Sequence, residues 1–278
     1  MNQHTLIAQQ LVAGYDKKMI LSNINLSIPQ NKISVILGAN GCGKSTLLKT
    51  FARLVRPQEG QILLDGKQIE TISSKIIAQT MGFLPQSPLV PEGIKVTDLI
   101  MRGRFPYRKA FQGMTKADIE AVEEAMEMMG IIELADQNVD ELSGGQRQRV
   151  WIALALAQQT DILFLDEPTT FLDIAYQVEI LDLLTDLNRK RKTTIVMVLH
   201  DMNLSARYAD YIFAMKKGNL VAQGQPKEII VPELVKTIYG LDCTVIEDPV
   251  SKTPLIIPKG RHHNKVNGVS SEDEIVSV

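Results

Sequence analysis

Cysteine is scarce in this chain: two in 278 residues, Cys42 and Cys243. They lie far apart, one of them inside a glycine-rich loop, so a disulfide framework is excluded and a reducing cytoplasm is the simplest setting. An excess of charge is missing too. The formal net charge is -2, and nothing in that balance points to nucleic acid. No uninterrupted apolar run approaches the ~18 residues needed to span a bilayer. The start, Met1-Asn2-Gln3-His4-Thr5, has neither the charged nor the long apolar region of a secretory signal. Work at a membrane would therefore go through a partner. What is present is ordinary globular composition, 45% hydrophobic and 22% charged, enough for one large domain or two small ones.

The most informative stretch is Gly38-Ala39-Asn40-Gly41-Cys42-Gly43-Lys44-Ser45-Thr46. It fits G-x-x-x-x-G-K-[ST], a loop whose backbone N–H groups cradle phosphates. The four fixed positions would match by accident in about one chain in a hundred of this length. Ile33-Ser34-Val35-Ile36-Leu37 before it reads as a buried strand, and Leu47 to Ala52 after it as a helix. Lys44 can reach the outer phosphates, the Ser45 hydroxyl can hold Mg²⁺, and the helix N-terminus adds positive potential. Cys42, beside Lys44 among these N–H groups, is expected to carry a thiolate-favouring field.

Upstream, Leu6 to Ile28 reads as antiparallel strands with turns at Gly14 and at Asp16-Lys17-Lys18. Tyr15 at the turn is a half-buried edge aromatic on spacing alone. Its alternative use is as a ring on which a base can stack. Gly60 to Ile69 reads as a hairpin turning at Asp65-Gly66, and Met81 to Gln86 as a strand ended by Pro85. Pro88 and Pro91 mark a loop and subdomain boundary.

The next part is helical. Val96 to Arg102 forms one helix, and Thr115 with Asp118 reads as a capping box. The stripe Ile119, Val122, Met126, Met129 reads as core rather than as a docking face. Met101 to Lys109 mixes cations with aromatics, which is weak ground for RNA contact in a slightly acidic chain. Leu142-Ser143-Gly144-Gly145-Gln146 precedes a helix to about Gln159. Ser143 is an N-cap there, either an ordinary one or a second anion site.

Asp161 to Pro168 is an apolar run ending in Asp166 and Glu167. A buried parallel strand delivers such acids where doubly wound sheets bind ligands. Asp166 can serve Mg²⁺, and Glu167 can orient and deprotonate water. A helix from about Ala175 to Arg191 ends in cations that suit its dipole. Thr193 to Leu199 is a further strand, placing His200 on the same sheet edge as the loop at Lys44 and Asp166. Phe213 to Val221 is a hairpin. Beyond Pro258 the composition reads as a loose tail, in which His262-His263 is a possible metal pair.

Taken together, the motifs at Lys44, Leu142, Asp166 and His200 resemble the nucleotide-binding subunit of ATP-binding-cassette (ABC) transporters. The resemblance runs to about Gly240. It implies an α/β fold: a P-loop NTPase cassette with an antiparallel β subdomain and an inserted α-helical subdomain. Residues 1–240 would form the ATPase domain, with the insertion at about 87–159, and 241–278 a C-terminal extension. It implies ATP and Mg²⁺ as cofactors. By resemblance Tyr15 stacks on adenine, and Gly38 to Thr46 bind phosphates. Ser45, Gln86 and Asp166 serve the metal. Glu167 is the base and His200 contacts the γ-phosphate. Ser143, Gly144, Gly145 and Gln146 bind the ATP of the other subunit, and Asp173 links the halves. The implied partners are a second copy, membrane permease subunits and, indirectly, a substrate-binding protein, with the subunit on the cytoplasmic face of the membrane. Thr170 to Gln177, Arg102 to Tyr107 and Gly260-Arg261-His262 further resemble the ATPases of bacterial iron–siderophore importers. Haem and cobalamin importers are close relatives, and a cassette regulating cell-wall remodelling is the alternative outside transport.

Overall fold

Strand β1 (Leu6–Tyr15) turns at Asp16 into β2 (Lys18–Ile28). Gly14 lies inside β1, so the turn expected there is absent. A third partner, β4 (Pro57–Leu64), pairs with the other edge of β1 and folds back through Asp65-Gly66 into β5 (Lys67–Gln68). Both turn residues have positive φ, 52° and 74°, the backbone that a two-residue hairpin of matching twist requires. These strands form one antiparallel sheet in the order β2-β1-β4-β5. The computed structural model describes residues 3–16, 18–88, 92–109, 113–170 and 172–260; His262 and His263 lie outside them.

The second sheet has six strands in the order β10-β9-β3-β8-β7-β6. They are β3 (Ile33–Gly38), β6 (Met81–Leu84), β7 (Ile162–Asp166), β8 (Thr194–Val198), β9 (Tyr211–Lys216) and β10 (Asn219–Gly224). All neighbours run parallel except β9 and β10. Their apolar residues alternate between two cores, as period-2 geometry dictates. Ile36, Phe164, Val196 and Val198 face the antiparallel sheet across α1 (Lys44–Phe51), where Phe51 stacks on Phe164 at 6.3 Å. Val35, Leu163, Leu165 and Met197 face the larger core on the other side.

Helix α2 (Ser74–Thr80) leads into β6. Between β6 and β7 the chain forms α3 (Val96–Met101), α4 (Lys116–Met128) and α5 (Gly144–Ala157), with short 3-10 turns between them. The expected capping box of Thr115 with Asp118 is present, and Ser143, expected as an N-cap, forms a second box with Gln146. Val122, Met126 and Met129 are core, whereas Ile119 is exposed. Helix α6 (Ile174–Arg191) links β7 to β8, and α7 (Met202–Tyr208) links β8 to β9.

After β10 come α8 (Pro226–Ile229), α9 (Pro232–Tyr239) and a hairpin of β11 (Cys243–Glu247) with β12 (Pro254–Pro258). The reading along the chain missed α9 and this hairpin. The hairpin is docked by Asn203 of α7, whose side-chain amide exchanges hydrogen bonds with the Ile256 backbone at 3.2 and 2.7 Å. No described helix is long and apolar enough to cross a membrane.

Candidate active site

Four adjacent parallel strands, β3, β8, β7 and β6, end at one sheet edge. Each delivers a polar residue there: β3 the loop leading to Lys44, β8 His200, β7 Asp166 and Glu167, and β6 Gln86. This is the edge at which open α/β sheets hold ligands. The loop closes into α1 through Gly43, at φ 105°, where a Cβ would lie 2.9 Å from Leu21 Cδ2. Only glycine fits that left-handed, crowded position. Lys44 is buried, and its ammonium donates to Gly38 O at 2.8 Å and Ala39 O at 3.2 Å.

The Ser45 hydroxyl donates to Asp166 Oδ1 at 2.7 Å. Asp166 Oδ2 is buried without a partner. Burial pushes the Asp166 carboxyl above its ordinary pKa, against the opposing effect of the Ser45 hydrogen bond and of Lys49 and Lys44 nearby. One residue on, Glu167 turns the chain out of β7 with φ 57°, a left-handed conformation that costs a non-glycine residue about 1–3 kcal/mol. Its carboxylate is held from three sides. His200 Nε2 lies 2.6 Å from Oε1, and Oε2 accepts from Gln86 Nε2 and, at 3.0 Å, from the Thr170 hydroxyl. A cavity of 330 Å³ opens between these groups and the phosphate loop, with Ile20 of β2 on its wall.

Other expected residues stand apart from that cavity. Tyr15 is 46% exposed and does not line it. Ser143, Gly144 and Gln146 are exposed at the N-terminus of α5 and do not line it either. Gly145 packs beside the Tyr176 ring, 3.4 Å from where its Cβ would stand. Asp173 caps α6, accepting from Tyr176 N at 3.2 Å. Cys42 corrects the expectation placed on it. Its thiol is buried in the core between the sheets, and burial raises its pKa, outweighing Lys44. The phosphate loop therefore presents its Cys42 backbone, not a thiolate.

Ile20, Thr170 and Gln148 were missed along the chain. Gln148 of α5 donates to Pro168 O at 2.7 Å, tying that helix to the turn after Glu167. Only Thr170 had a local signal, a hydroxyl three residues beyond the acid.

A family profile described as "ABC transporter" matches residues 21–170. The chain belongs to the ABC transporter family. This cassette is 50% identical to the ferric enterobactin transport ATP-binding protein FepC of Escherichia coli, over 92% of this chain and 94% of that protein. It is 49% identical to the achromobactin transport ATP-binding protein CbrD of Dickeya dadantii, over 92% and 95%. With the iron(3+)-hydroxamate import ATP-binding protein FhuC of Bacillus subtilis it shares 42% identity, over 99% of this chain and 100% of that one. Among solved structures, the cassette superposes on a transporter described as of the metal-chelate ABC type, in an inward-facing conformation. The TM-score is 0.81 at 28% identity, covering 94% and 99% of the two chains. A dimeric ATP-binding cassette bound to ADP and phosphate in a post-hydrolysis state matches with TM-score 0.69 at 29% identity, over 79% and 98%.

Proposed function

We propose that this cassette hydrolyses ATP at the cytoplasmic face of the cell membrane and thereby energises import of a ferric siderophore through a membrane permease. The hydrolytic part rests on one convergence: Lys44, Ser45, Glu167, Gln86 and His200 line a single cavity at the sheet edge, and Asp166 stands behind it on the Ser45 hydroxyl. The cargo rests on the near full-length similarity to ATP-binding proteins named for ferric enterobactin, achromobactin and iron(3+)-hydroxamate.

The loop from Gly38 to Thr46 would bind the phosphates through its N–H groups, with Lys44 moving from its carbonyl partners onto the outer phosphates. Tyr15 would carry the adenine. The oxygens at and behind the cavity wall suit Mg²⁺, which takes hard oxygen ligands: the Ser45 hydroxyl, the Gln86 amide oxygen, and Asp166 next to Ser45, whose Oδ2 is buried with no other partner. When bound, that ion supplies charge neutralisation between the phosphates. Glu167 would orient a water molecule and accept its proton. His200, Gln86 and Thr170 hold the carboxylate so that it does not need to reorganise as the reaction proceeds. His200 would also contact the γ-phosphate.

Ser143, Gly144, Gly145 and Gln146 stand outside this cavity, so in this reading they serve the ATP of a second subunit, and Asp173 joins the two halves. Two composite sites then close on ATP and open after hydrolysis. The helices between β6 and β7 would pass that motion to the permease, and a substrate-binding protein would deliver cargo on the far side.

The test is uptake. A strain lacking this subunit should lose import of at least one labelled ferric siderophore, from a panel of catecholate and hydroxamate types, and regain it on complementation. Unchanged siderophore uptake with lost import of cobalamin or haem would place the cassette in a neighbouring branch. Unchanged uptake of all three classes would favour a regulatory role without transport.

A further inference from the structure

Helix α5 begins at the four residues assigned to the second subunit's ATP. Its other end is held by side chains from a preceding turn. The last carbonyls of a helix have no partner within it, and here the turn Arg102–Tyr107 supplies partners. Arg104 Nη1 donates to Ala157 O at 2.7 Å and to Gln159 Oε1 at 3.2 Å, and the Tyr107 hydroxyl donates to Gln158 O at 2.9 Å. The same guanidinium reaches Asp118 Oδ1 through Nε at 2.9 Å and stands 4.0 Å over the Tyr107 ring. Arg104 and Asp118 are both buried, so this cation is committed to the protein and unavailable to an outside ligand. Gly103 permits the approach: a Cβ there would lie 2.4 Å from Leu154 O.

A planar cation at the negative end of a helix is favourable, and its fork geometry fixes direction as well as charge. The length of α5, 14 residues, corresponds to about 21 Å, so a tilt of about 3° at Arg104 moves the Ser143 end by about 1 Å. The turn is also fastened to the opposite side. Gln79 of α2 donates to Pro106 O at 3.0 Å, and α2 runs directly into β6, the strand that delivers Gln86.

We propose that Arg104 is a positioning residue for the Ser143 end of α5, setting the angle at which that end meets the nucleotide held by the other subunit. The inference rests on the composite-site reading, and the experiment separates the two. Differently tagged subunits are assembled with the permease and purified as heterodimers. The control pairs a Lys44→Ala subunit with a Ser143→Arg subunit, leaving one working site: the P-loop of the second with the α5 end of the first. An inactive control overturns the shared site, and this proposal with it.

With an active control, Arg104→Lys is added to one subunit at a time. On the Lys44→Ala subunit, which contributes the α5 end, it should lower kcat by about tenfold, short of the ~10²-fold of a 1 Å misplacement, with KM for ATP within about twofold. On the Ser143→Arg subunit, which contributes the P-loop, kcat should stay within about twofold of the control. A role in packing alone would lower both pairs alike, and that result overturns the proposal, as does no loss in either. If Arg104→Lys prevents assembly, Tyr107→Phe removes only the hydroxyl's bonds to the carbonyls of Gln158 and Gln159. It should show the same asymmetry at about threefold, and a symmetrical loss or none overturns the proposal.

Discussion

His200 Nε2 lies 2.6 Å from one oxygen of Glu167, while the other oxygen receives Gln86 and Thr170. Residues from three strand ends thus hold a single carboxylate that sits on a strained backbone. Such a group is placed for one task.

Glu167→Gln keeps the shape but not the basicity. Turnover should fall on the order of a hundredfold or more, with ATP affinity retained. Phosphate release and nucleotide binding, measured on the same preparation, check it. Near-normal hydrolysis would remove Glu167 from the role of base.

Asp166 carries a buried charge with one unpartnered oxygen, and burial raises its pKa. A group with a raised folded pKa contributes stability below its unfolded pKa and loses that stability as pH rises through the folded value. At pH 7 the cost is therefore present. Asp166→Asn should melt higher than the parent at pH 7 without nucleotide, with the gap closing as pH falls through the folded value, and should have lost hydrolysis. A lower melting temperature at pH 7 would show that the amide costs more in this pocket than the charge.

Both thiols, Cys42 and Cys243, are buried, and burial raises the pKa of each. In the folded protein each should react with Ellman's reagent much more slowly than a free thiol, and both should react promptly in denaturant. A thiol that reacts fast when folded and is protected by MgATP would restore the exposed, activated Cys42 that its sequence position suggests.

Asp118 is held at a pKa of about 2, first by the Thr115 hydroxyl and then by Arg104. With the folded value depressed, its contribution is complete above the unfolded pKa of about 3.9 and is lost as pH falls toward 2. Asp118→Asn should be less stable than the parent by a constant margin from pH 7 to about 4.5, with the margin shrinking below that. Urea midpoints across the range read it, and a margin independent of pH would mean the carboxylate's charge is not what matters.

Where a few neighbouring residues carry the geometry, the chain was readable. The P-loop glycines, the caps at Thr115 and Ser143, the Asp65-Gly66 turn and the apolar runs of β3, β7 and β8 specify their local backbone by spacings of two to five residues. The family resemblance follows from those same stretches. Other features were not local. Nothing in the spacing of Gln86, Asp166 and His200 states the strand order β3-β8-β7-β6, which brings residues from separate segments to one carboxylate. Cys42 stands in the phosphate loop in sequence, yet the packing of two sheets turns its side chain inward. Arg104 sits in a stretch that mixes cations with aromatics, and only the packing of α4 and α5 buries it. The hairpin at Cys243 and Pro258 has short, proline-flanked strands with little periodicity, and it takes its place from Asn203. Local backbone preference was written in the sequence. Side-chain direction and the meeting of distant strand ends were decided by tertiary packing, because which face is buried depends on what arrives to cover it.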